Sequence, residues 1–296
     1  MSNETIRIAI QKSGRLTEKT LQILKQSGLE FNLSNNVLFS QCEAFPVELM
    51  LVRDDDIPEY VADGICELGF VGFNVLQEKI LKKGQSPDNI PILKHLGYGN
   101  CRLSLAISKE EEYTGLNYFN GKKIATSYPK SLGEYFAKND INAEIIEISG
   151  SVEVTPKLKI ADAICDIVSS GATLKGNNLK EVDKILDSES ILVKTPKELK
   201  PEQEQTIDRL LARLEGVMKS QRNKYIMMNA DKDSLARIKE ILPGVDEPSV
   251  MPLAGDDGRV AVHLVCEENV FWETMENLKS VGASSILVLP IEKFIS

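Results

Sequence analysis

Histidine is nearly absent from this sequence: His95 and His263 are the only two in 296 residues. Two imidazoles cannot build a His-rich metal centre and leave few ways to assemble a Ser-His-Asp triad, so the chemistry is expected to need no histidine base. Both histidines read as structural. Cysteine is sparse as well. Cys42, Cys66, Cys101, Cys165 and Cys266 lie far apart with no Cys-x-x-Cys, which predicts reduced, buried thiols rather than a disulfide framework. Nowhere do eighteen apolar residues run together, and the apolar stretch Ile6–Gln11 is far too short for a secretory core; a cytoplasmic chain with no membrane partner is expected. Runs of Lys and Arg are missing too. With 35 basic against 44 acidic residues the net charge is −9, which argues against nucleic acid as a partner.

What the sequence does contain is material for real cores, with 42% hydrophobic and 27% charged residues. Ile6, Ile8 and Ile10 alternate with polar neighbours as in a strand, then break into Lys12-Ser13-Gly14-Arg15; a helix with Leu21 and Leu24 follows and stops at Gly28. Val47–Val52 is a second strand running into Arg53-Asp54-Asp55-Asp56, and Leu68–Val71 a third ending at Gly72. Strands alternating with helices predict parallel pairing and an α/β layer. The alternation restarts after residue 100 with Leu103–Ile107, Lys123–Thr126, Ile145–Ile148 and Ile164–Val168, enough for a second α/β lobe. Pro201 opens a helix carrying Ile207, Leu210, Leu214 and Val217 at helical spacing. The last seventy residues read β-α-β-β-α-β, a ferredoxin-like unit, with Phe271, Trp272 and Met275 in its core.

The densest chemistry lies between Asp162 and Leu174. A buried strand carrying Asp166 ends in Ser169-Ser170-Gly171-Ala172-Thr173 and turns helical, so backbone N–H groups and hydroxyls converge as a phosphate monoester requires, and the carboxylates suit ribose hydroxyls or Mg²⁺. An ordinary strand-to-helix turn with a serine N-cap is the competing description. Lys12, Arg15 and Arg53 follow candidate parallel strands at their carboxyl ends, where ligands bind in open α/β sheets; solvated surface cations are the alternative. Asp54-Asp55-Asp56 fits either a hard cation or a helix start.

Four of these stretches, Ile10–Leu16, Leu51–Pro58, Ile124–Pro129 and Asp162–Leu174, together with Lys224–Ala230 and Gly282–Pro290, closely resemble the ATP phosphoribosyltransferase family in its long form. The resemblance implies two periplasmic-binding-protein-like α/β lobes around a cleft, residues 1–98 with 186–222 and residues 99–185, plus a ferredoxin-like regulatory domain at 223–296. It implies transfer of the phosphoribosyl group of 5-phosphoribosyl 1-diphosphate (PRPP) to N1 of ATP, Mg²⁺ as cofactor, L-histidine as feedback inhibitor, and a dimer or hexamer. Within that frame Asp162, Asp166, Ser169, Ser170, Gly171, Ala172 and Thr173 would surround PRPP. Lys12, Arg15 and Arg53 would face the nucleotide and diphosphate, with Asp166, Lys12 and Arg53 catalytic and the Mg²⁺ held mainly by substrate. Asn229, Ser249, Met251, Leu253 and Ala283 would line the histidine site, Asn229 standing where some relatives carry an aspartate. Adenine N1 brings its own lone pair, which accounts for a site without a histidine base. An exported solute-binding protein has a similar two-lobe outline but no such C-terminal unit, and a catalytically weak subunit dependent on a partner fits the short form better.

Overall fold

The first sheet forms because Ile6, Ala9 and Ile10 are too apolar to leave in water and are wholly buried in β1 (Ile6–Gln11). The computed structural model describes residues 4–33, 37–84, 89–242, 244, 247–267 and 272–295. After β1 come α1 (Arg15–Gln26), β2 (Phe39–Gln41), β3 (Val47–Val52), α2 (Ile57–Ala62), β4 (Leu68–Gly72), α3 (Phe73–Lys83) and β5 (Ile92–His95). Gly28, just past α1, takes φ +82°, the left-handed cap that glycine adopts without a Cβ clash. The next run is β6 (Cys101–Ser108), β7 (Lys123–Thr126), α4 (Pro129–Lys138), β8 (Glu144–Glu147), β9 (Ala163–Val168), α5 (Ala172–Gly176), β10 (Leu179–Ser188), β11 (Ser190–Lys194) and α6 (Pro201–Arg222). Pro201 sits at the tolerated first position of α6.

Two compact units result, Met1–Gln22 with Glu30–Thr206, and Ile23–Leu29 with Ile207–Ser296, the division falling inside α6. The first unit holds two sheets. One has the order β2-β3-β1-β4-β11-β5, the other β10-β6-β9-β7-β8. The strict alternation predicts parallel pairing, and the structure corrects that reading: β3-β1-β4 and β8-β7-β9 are parallel triplets, but β2, β11 and β6 pair antiparallel with them, and β5 and β10 pair antiparallel with β11 and β6 in turn. Strands β2, β5, β10 and β11 carry no clear pattern. In β10, register shifts between Glu181 and Asp183 and between Lys184 and Leu186 break the period of two that marks a strand in sequence.

Two stretches cross between these sheets. Leu96–Asn100 connects β5 to β6, and the lone residue Glu189 separates β10 from β11. Gly97 and Gly99 take φ +69° and +70°, and a Cβ on Gly99 would lie 2.3 Å from Leu16 Cδ2, so the crossing needs glycine there for both space and backbone angle.

In the second unit β12 (Asn223–Asp231), α7 (Leu235–Ile241), β13 (Ser249–Leu253), β14 (Asp256–Glu267), α8 (Trp272–Ser280) and β15 (Ser284–Pro290) complete the expected β-α-β-β-α-β order. The sheet order β13-β14-β12-β15 is fully antiparallel and ferredoxin-like. Its core joins Ile226, Met228, Val262 and Leu278 with Met275 packed alongside; Phe271 and the side chain of Trp272 lie outside the described residues. Four cysteines are buried as expected, while Cys101 is half-buried; all five are free thiols. Burial pushes the Cys66 thiol up to about 12. Among the described residues, no helix is long and apolar enough to cross a membrane.

Candidate functional site

The parallel strands of both sheets deliver their carboxyl ends to one cleft. A cavity of about 270 Å³ is lined there by Gln11, Asp54 and Asn74 from the β1, β3 and β4 ends, by Tyr128 and Ser169 from the β7 and β9 ends, and by the crossing residue Glu189. A second, more polar cavity of about 470 Å³ shares Asp54, Val75 and Tyr128 with the first and extends past Arg53 and Lys82 to Ser149 and Gly150. Together they make one continuous cleft between the two sheets.

Asp166 sits at mid-strand in β9, opposite Ser104 of β6. Its Oδ1 accepts the Ile167 N–H at 2.8 Å. Burial pushes this carboxyl above its usual range, with the charge of Glu153 adding and the Ile167 N–H opposing. Past Val168 the chain turns through exposed Ser169 and Ser170 to Gly171 at φ +75°. The helix expected to cradle phosphate is a single turn, α5, whose N-cap is Gly171 rather than a serine and makes no side-chain cap bond. Such a short turn leaves its leading N–H groups with few partners: Ala172 N–H reaches Ser170 Oγ at 3.4 Å, and Lys175 N–H donates to the Gly171 carbonyl at 3.0 Å. Thr173 is exposed at the start of that turn.

A cation that sequence reasoning missed stands beside the loop. Arg102 of β6 donates Nη1 to the Ser169 carbonyl at 3.3 Å, and its Nε lies 2.5 Å from Glu181 Oε1 while Nη2 meets Oε2. Ser104 Oγ donates to the same Glu181 at 2.8 Å. The guanidinium hydrogen bond holds the Glu181 carboxyl below its usual range, and Glu181 raises Arg102 in turn. Nothing in sequence marked the pair, because it joins residues on two strands through β10, which had no pattern of its own.

Tyr128 is the other missed residue, although it lies inside one of the quoted stretches. It is the N-cap residue of α4; its N–H donates to Thr126 Oγ1 at 2.9 Å, and its hydroxyl accepts Asn74 Nδ2 at 2.9 Å. Asn74 is buried and fixed in turn: Ser188 Oγ donates to Asn74 Oδ1 at 2.8 Å and accepts the Asn74 N–H at 3.0 Å. Burial raises the Tyr128 phenol, and the charges of Asp166, Asp54 and Asp55 raise it further. The phenol is thus a neutral hydrogen-bonding group facing three carboxylates from two lobes.

The remaining expected residues divide. Asp54 faces both cavities, its carboxyl raised first by burial and next by Asp55. The acidic triplet forms a short turn ahead of α2 and caps it with no side-chain hydrogen bond, so it supplies only charge there. Arg53 lines the second cavity and also an apolar depression of about 420 Å³. Lys12 belongs to that depression with Leu38 and Phe39, and lines neither chamber of the cleft. The Arg15 side chain lies outside the described residues. Asp162, expected beside the loop, is at the opposite end of β9, about 20 Å away at roughly 3.3 Å per residue. There its Oδ2 accepts the Lys123 N–H at 2.8 Å, which ties β9 to β7. The two histidines are each paired and line neither chamber: His95 Nδ1 is 3.0 Å from Oε1 of Glu189, and in the second unit His263 Nδ1 is 2.5 Å from the Tyr225 hydroxyl.

In the second unit the cross-strand register sets Asn229 beside Ala261 and Ala261 beside Met251, with Ser249 beside His263 in the next row, so Asn229, Met251 and Ser249 share the sheet face turned away from the helices. Leu253 is half-buried at the β13 end, and Ala283 is buried in the core on the helix side. No group of three or more His, Cys, Asp or Glu side chains converges as a metal site among the described residues.

Known proteins sharpen these geometries. The chain matches the ATP phosphoribosyltransferase family model over residues 53–216 and the C-terminal domain model of the same family over 220–293. It is 28% identical to a chain of the ATP phosphoribosyl transferase (HisG:HisZ) complex from Thermotoga maritima, covering 71% of this chain and 99% of that one at a TM-score of 0.59. Tv2483 bound to L-arginine shares the fold alone, at 10% identity and a TM-score of 0.50, over 74% of this chain and 87% of that one. With one family model matching residues 53–216, more than half of the sequence, and its companion matching the appended sheet, the chain belongs to the ATP phosphoribosyltransferase family, the enzymes of the first step of histidine biosynthesis.

Proposed function

We propose that this cleft joins PRPP to N1 of ATP with Asp166 and the loop Ser169–Thr173 holding the phosphoribosyl group, while Arg53, which lines the second chamber, takes the nucleotide and diphosphate, joined by Lys12 from the adjoining depression and by Arg15. The observation that supports this division is that Ser169, at the head of the open hydroxyl loop, faces Asp54, Asn74 and Tyr128 across one cavity, with the desolvated Asp166 close enough for its charge to act on Tyr128. Adenine N1 is nucleophilic as it stands, so no group has to remove a proton before attack. The burden falls on alignment and charge: the transition state builds positive charge at ribose C1, which the Asp166 carboxylate stabilises, and negative charge on the departing diphosphate, which cations take up. A neutral Tyr128 phenol can orient a substrate oxygen or ring nitrogen without altering the charge balance.

Mg²⁺ is the proposed cofactor. Asp54, raised by burial and by Asp55, is a carboxylate whose ionised form a cation would relieve, and with no three-residue cluster nearby the substrate diphosphate would complete the coordination. When bound, the ion neutralises leaving-group charge. We further propose the three-part division given by the resemblance, a homodimer or hexamer as the working state, a cytoplasmic setting, and L-histidine as inhibitor at the open sheet face bearing Asn229, Ser249 and Met251, with Leu253 and Ala283 at its margins. One assay tests the core of this: purified chain with ATP, PRPP and Mg²⁺ should give a new near-ultraviolet absorbing product that EDTA prevents and histidine suppresses. Loss of suppression after removal of residues 224–296 is expected; an intact histidine response in the shortened chain would move the effector site elsewhere.

A further inference from the structure

Helix α3 carries three polar residues at successive i, i+4 positions, Asn74, Glu78 and Lys82, and each reaches the opposite lobe. Asn74 donates to the Tyr128 hydroxyl at 2.9 Å. Glu78 accepts the Lys130 N–H at 2.9 Å, the Ser131 N–H at 2.8 Å and the Ser131 hydroxyl at 2.7 Å. Lys82 Nζ pairs with Glu147 Oε1 at 2.7 Å. Spacing of four puts all three on one face, so the stripe is a property of the helix rather than of three separate accidents.

Glu78 is the unusual member. It is only 6% exposed, and a carboxylate is left in such a place only if well partnered. All three donors come from the first turn of α4, in the other lobe. That helix begins at Pro129 after an N-cap residue, Tyr128, that makes no side-chain cap bond, so its leading N–H groups and its positive end have no partner from their own chain segment. The carboxylate of α3 supplies the missing cap from across the cleft. Since α4 starts one residue after Tyr128, whatever fixes its first turn also fixes the phenol that lines both cavities.

We infer that α3 is a latch setting the closed separation of the two lobes, with Glu78 as a positioning residue that acts on the cleft through α4 and Tyr128. Its kinetic consequence rests on the transferase reading above; its structural consequence does not. Three charge-assisted hydrogen bonds from a carboxylate that also lines the second cavity make a contact that water can replace, so the latch is releasable in a way an apolar seam is not.

The test uses the full chain and three substitutions, Glu78→Gln, Glu78→Ala and Ser131→Ala. Hydrogen–deuterium exchange of the peptide holding Lys130 and Ser131 should speed up at least about tenfold in E78A, less in E78Q, and two- to threefold in S131A, with β9 peptides unchanged. Turnover per folded enzyme should fall about tenfold in E78A, while the dissociation constant for PRPP alone, read on the distant loop, moves less than about twofold. Unchanged exchange overturns the latch, as does faster exchange with unchanged turnover. So does a parallel fall of turnover, PRPP affinity and thermal midpoint, the mark of general weakening. Should the unaltered chain fail to join ATP and PRPP at all, the transferase reading falls instead, and the exchange comparison across the three substitutions still decides the latch.

Discussion

The two lobes of the first unit are built alike and end differently. Each places its first parallel strand at the centre of a triplet, β3-β1-β4 in one and β8-β7-β9 in the other, and each borders the third strand with an antiparallel strand that arrives from the opposite lobe. After that third strand the resemblance stops. In the first lobe β4 feeds α3, eleven residues long, whose polar stripe crosses to the neighbour. In the second, β9 feeds α5, a turn of five residues that leaves Ser169–Thr173 open to solvent. One topology thus supplies a seam on one side and an open hydroxyl-bearing loop on the other, and the two differ in the length of a single helix.

Replacing the loop's own carboxylate should break the contrast most severely. Asp166→Asn is expected to lower kcat/KM by about 10²–10³-fold, the scale of losing a fixed charge at a reacting centre. Stability should move the other way. A carboxyl whose folded-state pKa is raised favours folding while protonated and opposes it once ionised, so its destabilising effect is absent at low pH and sets in as pH rises through the unfolded and then the folded pKa. At pH 7 the Asn variant should therefore melt a few degrees higher than the parent, by calorimetry, and a lower midpoint would contradict the desolvation argument.

Next in size is the loop's support. Arg102→Ala removes the bond to the Ser169 carbonyl and leaves Glu181 without its cation, so KM for PRPP should rise about tenfold with a smaller change in kcat. Glu181 provides the matching pH signature. Its carboxyl is held low by Arg102, so that stabilisation is present above the usual carboxylate range and is lost as pH falls through the depressed value. The variant should lose this part of the acid limb of a midpoint-against-pH curve. The smallest effect belongs to the exposed end of the seam: Lys82→Ala cuts an ion pair whose two side chains are both largely in water, worth ~0–1 kcal/mol, and should alter turnover less than about threefold.

Legibility in sequence followed the same line. The strand, open loop and turn at 163–176 were readable because strand, carboxylate, hydroxyls and glycine are contiguous, and the strand's apolar run ends where the loop begins. The β-α-β-β-α-β order of the last unit was readable for a similar reason, each element carrying its own period between residues 223 and 290. The cleft itself was not. Ser188, Asn74 and Tyr128 meet from three distant segments, and Glu78 finds Lys130 and Ser131 more than fifty positions away. A polar stripe at 74, 78 and 82 can be counted in sequence, yet an amphipathic helix normally turns such a stripe to water; only the fold shows it reaching a second lobe, with Asn74 and Glu78 buried. Asp162 failed in the opposite sense, since closeness in sequence to Asp166 became separation along a strand.

The crossing at Glu189 carries a consequence for how the lobes can travel. One residue between β10 and β11, together with the glycine-bent stretch Leu96–Asn100, gives two short tethers side by side. The two are also bolted to each other: the Glu189 carboxylate accepts the Gly97 N–H at 2.6 Å, and the Ser190 N–H donates to the Tyr98 carbonyl at 2.9 Å. A body held by two adjacent, mutually fastened straps retains little freedom to slide or to roll. Swinging about the line through the straps is the movement such tethers leave, and it would lengthen or shorten the reach of Asn74, Glu78 and Lys82 across the cleft together.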